Sequence, residues 1–213
     1  MLYISFDIGI KNLAYCILNN NEDNLHIIDW NIITLAEKKN KLKGINNISD
    51  ILFFELDNLV SKLEDIDFKF IDYVLIENQP SNLNGIMKTI QFLIFSYFDL
   101  LRHWDNKIGQ VLLINPSLKL QNHTYIPASK TLTSSVSFVS RSDKYKLNKS
   151  DSIEICSKYI KSDDILLNFF ISNKKKDDLS DTCLQAVSYM RKNGHDIKNI
   201  KLNEKHLFQN IVS

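Results

Sequence analysis

A chain of 213 residues with 44% hydrophobic and 24% charged residues has the size and composition of one globular domain with a sizeable core. Its net charge of +1 excludes a globally basic nucleic-acid binder, so any polyanion must be held by local patches. The three cysteines (Cys16, Cys156, Cys183) form no CxxC pair, and the five histidines lack zinc-ligand spacing.

The chain opens on an apolar run, Leu2 to Phe6, that ends in Asp7 and is followed by Gly9. Such a run reads as a buried strand. An acid at its end is costly to desolvate without a partner, and Gly9 permits a tight turn. The start lacks a basic n-region, so no signal peptide is predicted. Leu13 to Leu18 and Leu25 to Leu35 follow as two more strands around a polar turn, giving an antiparallel meander. Lys38, Lys39, Lys41 and Lys43 form a solvated loop. From Ser49 the apolar spacing is helical, with Ser49 or Asn47 as cap.

Tyr73 to Ile76 is a fourth strand, ended by Glu77-Asn78-Gln79-Pro80. A long helix follows, Gly85 to Trp104, apolar nearly all round. It is either a central core helix or the seam of a homodimer. Its most apolar stretch, Thr89 to Phe98, is shorter than the about 20 residues that a bilayer span needs, so no membrane partner is predicted. Val111 to Ile114 is a fifth strand. From 118 to about 148 a Ser/Thr/Lys-rich excursion interrupts the pattern, with Leu132, Val136 and Phe138 on one alternation as a short strand or hairpin. Helical spacing returns at Ile153, and Asp163 to Ser172 is apolar without a clear type. A last clear helix spans Asp178 to Met190, and the tail reads as a closing helix. No repeat or second domain interrupts residues 1–213. The order implies a mixed α/β sheet with helices packed on it.

Four carboxylates stand at the ends of core elements: Asp7, Glu77, Asp178 and Asp181. Each has an ordinary explanation alone, as a turn cap, a surface acid or a helix N-terminal charge. Together they predict one site. Asp178 and Asp181 share a helix face, and two carboxylates 4 Å apart repel by about 4 kcal/mol at an effective dielectric near 20. A divalent ion reverses that sign, and all-oxygen ligands favour Mg²⁺ or Mn²⁺. Two such ions suit phosphodiester hydrolysis. Lysines lie where phosphates would need them: Lys174, Lys175 and Lys176 before the acidic helix, and Lys119, Lys144, Lys146 and Lys149 in or after the excursion.

Asp7-Ile8-Gly9 with Lys11-Asn12-Leu13-Ala14, then Ile76-Glu77-Asn78-Gln79-Pro80, then Lys175-Lys176-Asp177-Asp178-Leu179-Ser180-Asp181 resemble the poxvirus-type Holliday junction resolvases, the viral branch of the RuvC group in the RNase H-like superfamily. The resemblance covers residues 2 to 190. It implies an RNase H-like five-stranded sheet, three strands antiparallel and then two parallel, a homodimer, and symmetric Mg²⁺-dependent nicks in four-way DNA junctions that leave 5′-phosphates. It implies Asp7, Glu77, Asp178 and Asp181 as metal-binding catalytic acids around about two ions. Lys11, Asn12, Lys119, Lys144, Lys146, Lys174, Lys175 and Lys176 are the candidate contacts to DNA. The group also uses a lysine near the site. Lys149 is the best match and Lys119 its rival. The protein is then intracellular and, if viral, acts at replication sites in the host cytoplasm.

The alternatives are another RNase H-like nuclease, for RNA/DNA hybrids or other branched DNA, and a catalytically silent junction-binding protein. A sugar kinase or ATPase also opens on Asp-x-Gly, but its glycine-rich phosphate loops are missing here, so no nucleotide cofactor is predicted.

Overall fold

A computed structural model describes residues 1–21, 24–36, 45–80, 85–127, 129 and 141–203. Strands β1 (Leu2–Asp7), β2 (Asn12–Asn21) and β3 (Asn24–Thr34) form the meander. Helix α1 (Ile45–Asp65), β4 (Ile71–Glu77), α2 (Gly85–Trp104) and β5 (Ile108–Ile114) follow in alternation. A 3-10 turn (Pro116–Leu120) leaves β5, and α3 (Arg141–Ile160), α4 (Asp164–Ser172), α5 (Lys176–Lys192) and β6 (Ile200–Leu202) complete the chain.

The sheet order is β5-β4-β1-β2-β3-β6. β1 is antiparallel to β2 and β2 to β3, whereas β4 joins β1 in parallel and β5 joins β4 in parallel. The five strands and pairings match the resemblance. β6 is an addition, pairing in parallel with Leu25 and Ile27 of β3. A closing helix was expected in that region. Residues 200–202 are instead a strand too short for any period to show, and 204–213 lie outside the described residues.

Both faces of the sheet are covered, which is why β1 reads as continuously apolar. Leu2, Ile4 and Phe6 point to one core with α1 and α2, through Leu52, Leu56, Ile94 and Phe98. Tyr3, Cys16 and Trp30 point to the other, with α3, α4 and α5. The three thiols are free and buried there. Trp30 stacks on Phe170 of α4 at 5.3 Å. Its indole N–H donates to the Leu179 carbonyl at 3.0 Å and to Thr182 Oγ1 at 3.2 Å, which docks the first turns of α5 on the sheet.

Strands β2, β4 and β5 run two to three residues beyond their expected bounds at one end or the other, and three helices depart further from expectation. Helix α1 begins at Ile45, and Ser49 does not cap it: its hydroxyl donates back to the Asn46 carbonyl at 2.7 Å. Helix α3 begins at Arg141, inside the expected excursion, because Ser142 to Asn148 are exposed and carry no apolar stripe. Asp163 to Ser172 resolves into α4, with the Asp163 carboxylate accepting the Leu166 N–H at 3.0 Å as cap. The expected hairpin at Leu132, Val136 and Phe138 lies outside the described residues. Helix α2 keeps its predicted bounds. Its inner stripe (Ile90, Ile94, Phe98) is core, and Phe92, Leu100 and Trp104, spaced by fours or eights, stand 49%, 46% and 75% exposed on its outer side. Among the described residues no helix is long and apolar enough to cross a membrane.

Candidate active site

Asp7 is the last residue of β1 and Glu77 the last of β4. Because the two strands are parallel neighbours, with Phe6 level with Ile76, both carboxylates leave the sheet at the same end. Gly9 makes the exit possible, since a Cβ there would lie 2.1 Å from the Asn12 carbonyl oxygen. Helix α5 points its first turns at this end of the sheet. It carries Asp178 and Asp181 and, one turn further on the same face, the buried Gln185. The Gln185 amide donates to Ser5 Oγ at 3.0 Å and to the carbonyls of Phe6 and Leu75 at 3.2 and 3.3 Å, so it ties α5 to both acid-bearing strands.

The fifth member comes from the edge of the sheet. Asn115 accepts the Ser117 N–H at 2.9 Å and sets the 3-10 turn, which sends Lys119 back across the strand ends. Its ammonium lies 2.8 Å from Asp7 Oδ1, 3.0 Å from Glu77 Oε1 and 2.8 Å from Asp181 Oδ2. Lys119 is only 8% exposed. Burial alone would lower its pKa, but the three carboxylates outweigh that and hold it well above the usual lysine value. Burial pushes the Asp7 carboxyl up to about 8; Lys119 opposes the rise and Glu77 adds to it. Burial also raises Asp181, against Lys119, and raises Asp178, with Asp177 and Asp7 repelling in the same direction. Asp178 stands at the rim, accepting from Asn12 Nδ2 at 3.4 Å, with Lys175 Nζ at 3.9 Å.

The structure thus brings Asp7, Glu77, Asp178 and Asp181 to one place, with Asn12 and Lys175 beside them. It does not bring Lys149 there. Lys149 sits on α3 opposite the outer side of the α5 N-terminus, where it pairs with Asp177 and lies 5.0 Å from the Tyr145 ring centroid. Lys119, the rival, occupies the centre. Lys11, Lys144, Lys146 and Lys174 are exposed, and Lys176 donates to the Ile171 carbonyl at 3.0 Å. Sequence reasoning missed Gln185, although the spacing 178, 181, 185 is one helix face.

Three carboxylates about one buried cation form a donor set that fits a hard divalent ion. As the side chains stand, the three acids are arranged about the Lys119 ammonium, and no group of three His, Cys, Asp or Glu among the described residues is spaced to hold an ion.

A three-strand meander continued by two parallel strands, with acids at the ends of β1 and β4 and on the final long helix, is an RNase H-like fold of the RuvC type. Solved structures agree on the fold. The fowlpox virus Holliday junction resolvase superposes with TM-score 0.56 at 19% identity, covering 91% of this chain and 99% of that one. The yeast mitochondrial Holliday junction resolvase Ydc2 gives 0.56 at 19%, covering 89% and 78%. Thermus thermophilus RuvC, solved with a Holliday junction substrate, gives 0.53 at 8%, covering 90% and 96%. At the level of sequence, residues 1–125 match the family described as the Poxvirus A22 protein. The chain belongs to that family. It is also 32% identical over 143 residues to the uncharacterized protein L451 of Acanthamoeba polyphaga mimivirus, covering 62% of this chain. The chain spans about a third of that relative's length, 33%.

Proposed function

We propose that this protein is a Holliday junction resolvase that hydrolyses phosphodiesters in four-way DNA junctions and leaves 5′-phosphate ends. The observation that carries the reading is the ring of Asp7, Glu77 and Asp181 around one buried cation, with Asp178 at its rim, on a RuvC-type fold in a poxvirus family. Asp7, Glu77, Asp178 and Asp181 would hold Mg²⁺, with Mn²⁺ as substitute and about two ions per site. The chemistry such ions supply is activation of water and neutralisation of charge on the phosphate.

The chain's own residues do the rest. The carboxylates and Lys119 converge from four elements, so the scissile phosphate is oriented by a frame that Gln185 ties together. Lys119 becomes the catalytic lysine in place of Lys149: it keeps its proton on Nζ and offers positive charge to the phosphate oxygens. Asn12, Lys11, Lys175, Lys174, Lys176, Lys144, Lys146 and Lys149 supply backbone contacts around the rim. A four-way junction has two-fold symmetry, so paired nicks call for a homodimer, and the exposed stripe Phe92, Leu100 and Trp104 on α2 is its seam. The viral character of the family supports action at replication sites in the host cytoplasm.

The test is a cleavage panel in Mg²⁺ and in EDTA with a labelled four-way junction, a linear duplex and an RNA/DNA hybrid. Selective, symmetric cutting of the junction is expected. Equal cutting of all three would refute a resolvase, and junction binding without cutting would make the protein a silent binder.

A further inference from the structure

Outside the acid ring, the polar contacts around Glu77 converge on two glutamines. Gln79 donates Nε2 to Glu77 Oε2 at 2.7 Å. That is the oxygen turned away from the centre, since Lys119 meets Oε1. Gln79 is itself held at two further points: its N–H donates to Gln91 Oε1 at 2.7 Å, and its carbonyl accepts from Lys88 Nζ at 2.9 Å. Lys88 also donates to Asn78 Oδ1 at 3.0 Å and reaches Gln91 Oε1 at 3.3 Å. The first two turns of α2 therefore clamp the segment that leaves β4.

Gln91 is fully buried. A backbone N–H can point only at the amide oxygen, so the contact with Gln79 fixes which end of Gln91 is which. Its Nε2 is then buried with no hydrogen-bond partner among the described residues. A buried donor left unmade is unfavourable. Between Ile90 and Ile94, on a helix face packed against apolar core, a leucine or methionine would avoid that penalty. A buried unsatisfied group in such a place calls for an explanation, and the contact to Gln79 gives one.

We infer that Gln79 and Gln91 are positioning residues that set the orientation of Glu77. Gln79 occupies Oε2, so that Glu77 offers the centre Oε1 alone, and Gln91 holds Gln79 in place. Neither side chain touches the reacting atoms. The inference rests on the reading of the acids as a metal centre. Loss of a group that orients a metal ligand typically lowers affinity about 10–100-fold.

The experiment is Mn²⁺ binding to the full-length protein without DNA, read from the electron paramagnetic resonance signal of free Mn²⁺, beside a thermal melt of each variant. Gln79→Met and Gln91→Met are expected to weaken Mn²⁺ binding by about 10–100-fold while the melting temperature of Gln91→Met does not fall in proportion. Gln91→Glu, which keeps an acceptor for the Gln79 N–H and meets Lys88, should bind close to wild type. Gln79→Asn, too short to reach Oε2 and leaving the α2 core untouched, carries the test if Gln91→Met does not fold. Wild-type affinity in Gln79→Met and Gln79→Asn overturns the inference, as does weakening that merely follows lost thermal stability. Absence of Mn²⁺ binding by the wild type removes the metal-centre reading itself, and the inference with it.

Discussion

Replacing Lys119 by methionine keeps the length of the side chain and deletes one buried charge. Three contacts of 2.8, 3.0 and 2.8 Å are lost. At an effective dielectric near 20, each partner carries about 6 kcal/mol of gross attraction when ionised. Most of that offsets desolvation, and orphaning a buried ion pair typically costs about 3–5 kcal/mol. For a chain of this size the fall in Tm is roughly 6–20 °C at about 2–4 °C per kcal/mol. The sign with pH follows from Asp7. Its folded-state pKa, about 8, is raised above the unfolded value. Its contribution to stability is therefore full below a pH of about 4 and is lost as pH rises through about 8. Lys119 holds that pKa down, so removing Lys119 extends the loss. The deficit of Lys119→Met should be small at acid pH and largest under mildly alkaline conditions in EDTA. Mg²⁺ at 100 times the variant's Kd should add about 2.7 kcal/mol to its stability, and at the same concentration should raise the wild type's Tm less. Thermal denaturation at both pH values, with and without Mg²⁺, checks this. A deficit that is the same at both pH values and unmoved by Mg²⁺ would refute the view of Lys119 as a counter-ion to the acids.

Asp7→Asn should cut Mg²⁺-dependent junction cleavage by about 10²–10³, the order seen when one charge-stabilising group is lost, and should spare junction binding in EDTA, as a gel-shift titration would show. Lys149→Ala removes a half-exposed pair with Asp177; it should cost about 0–1 kcal/mol and leave Mn²⁺ affinity unchanged, and a loss as large as that of Lys119→Met would reverse the roles of the two lysines. Trp30→Phe keeps the stacking on Phe170 but deletes the donor to Leu179 and Thr182, so denaturant unfolding should show a loss of about 1–3 kcal/mol. Leu100→Glu with Trp104→Glu should convert a two-chain species to one chain in light scattering, and a monomeric wild type would remove α2 as a seam.

The strands and the four acids were legible because their signals are local. A short apolar run that ends in Asp7, and another that ends in Glu77, need nothing beyond their own residues to be read as strand ends. Parallel pairing of the two then brings the acids together. Helix α2 kept its bounds because Gly85 and Trp104 bracket an unbroken apolar period. Which lysine lies among the acids was not legible, because sequence order gives no direction to a side chain. Lys149 matched a spacing, but α3 turns it toward Asp177, and Lys119 reaches the centre only because the Asn115-Pro116-Ser117 turn folds back over the strand ends. The exposed first half of α3 and the three-residue β6 escaped for a simpler reason: neither carries an apolar period.

Lys119 hangs from β5, which among the described residues is an outermost strand that pairs only with β4. An outermost strand is the easiest part of a sheet to loosen. Its amides therefore act as a gauge of the electrical state at the other end of the turn. While the ammonium is hooked to three carboxylates, the strand has a tether beyond its ladder hydrogen bonds. If the proposed divalent ion were to release the hook, the tether would slacken, and hydrogen exchange along Ile108–Ile114 should quicken on its addition.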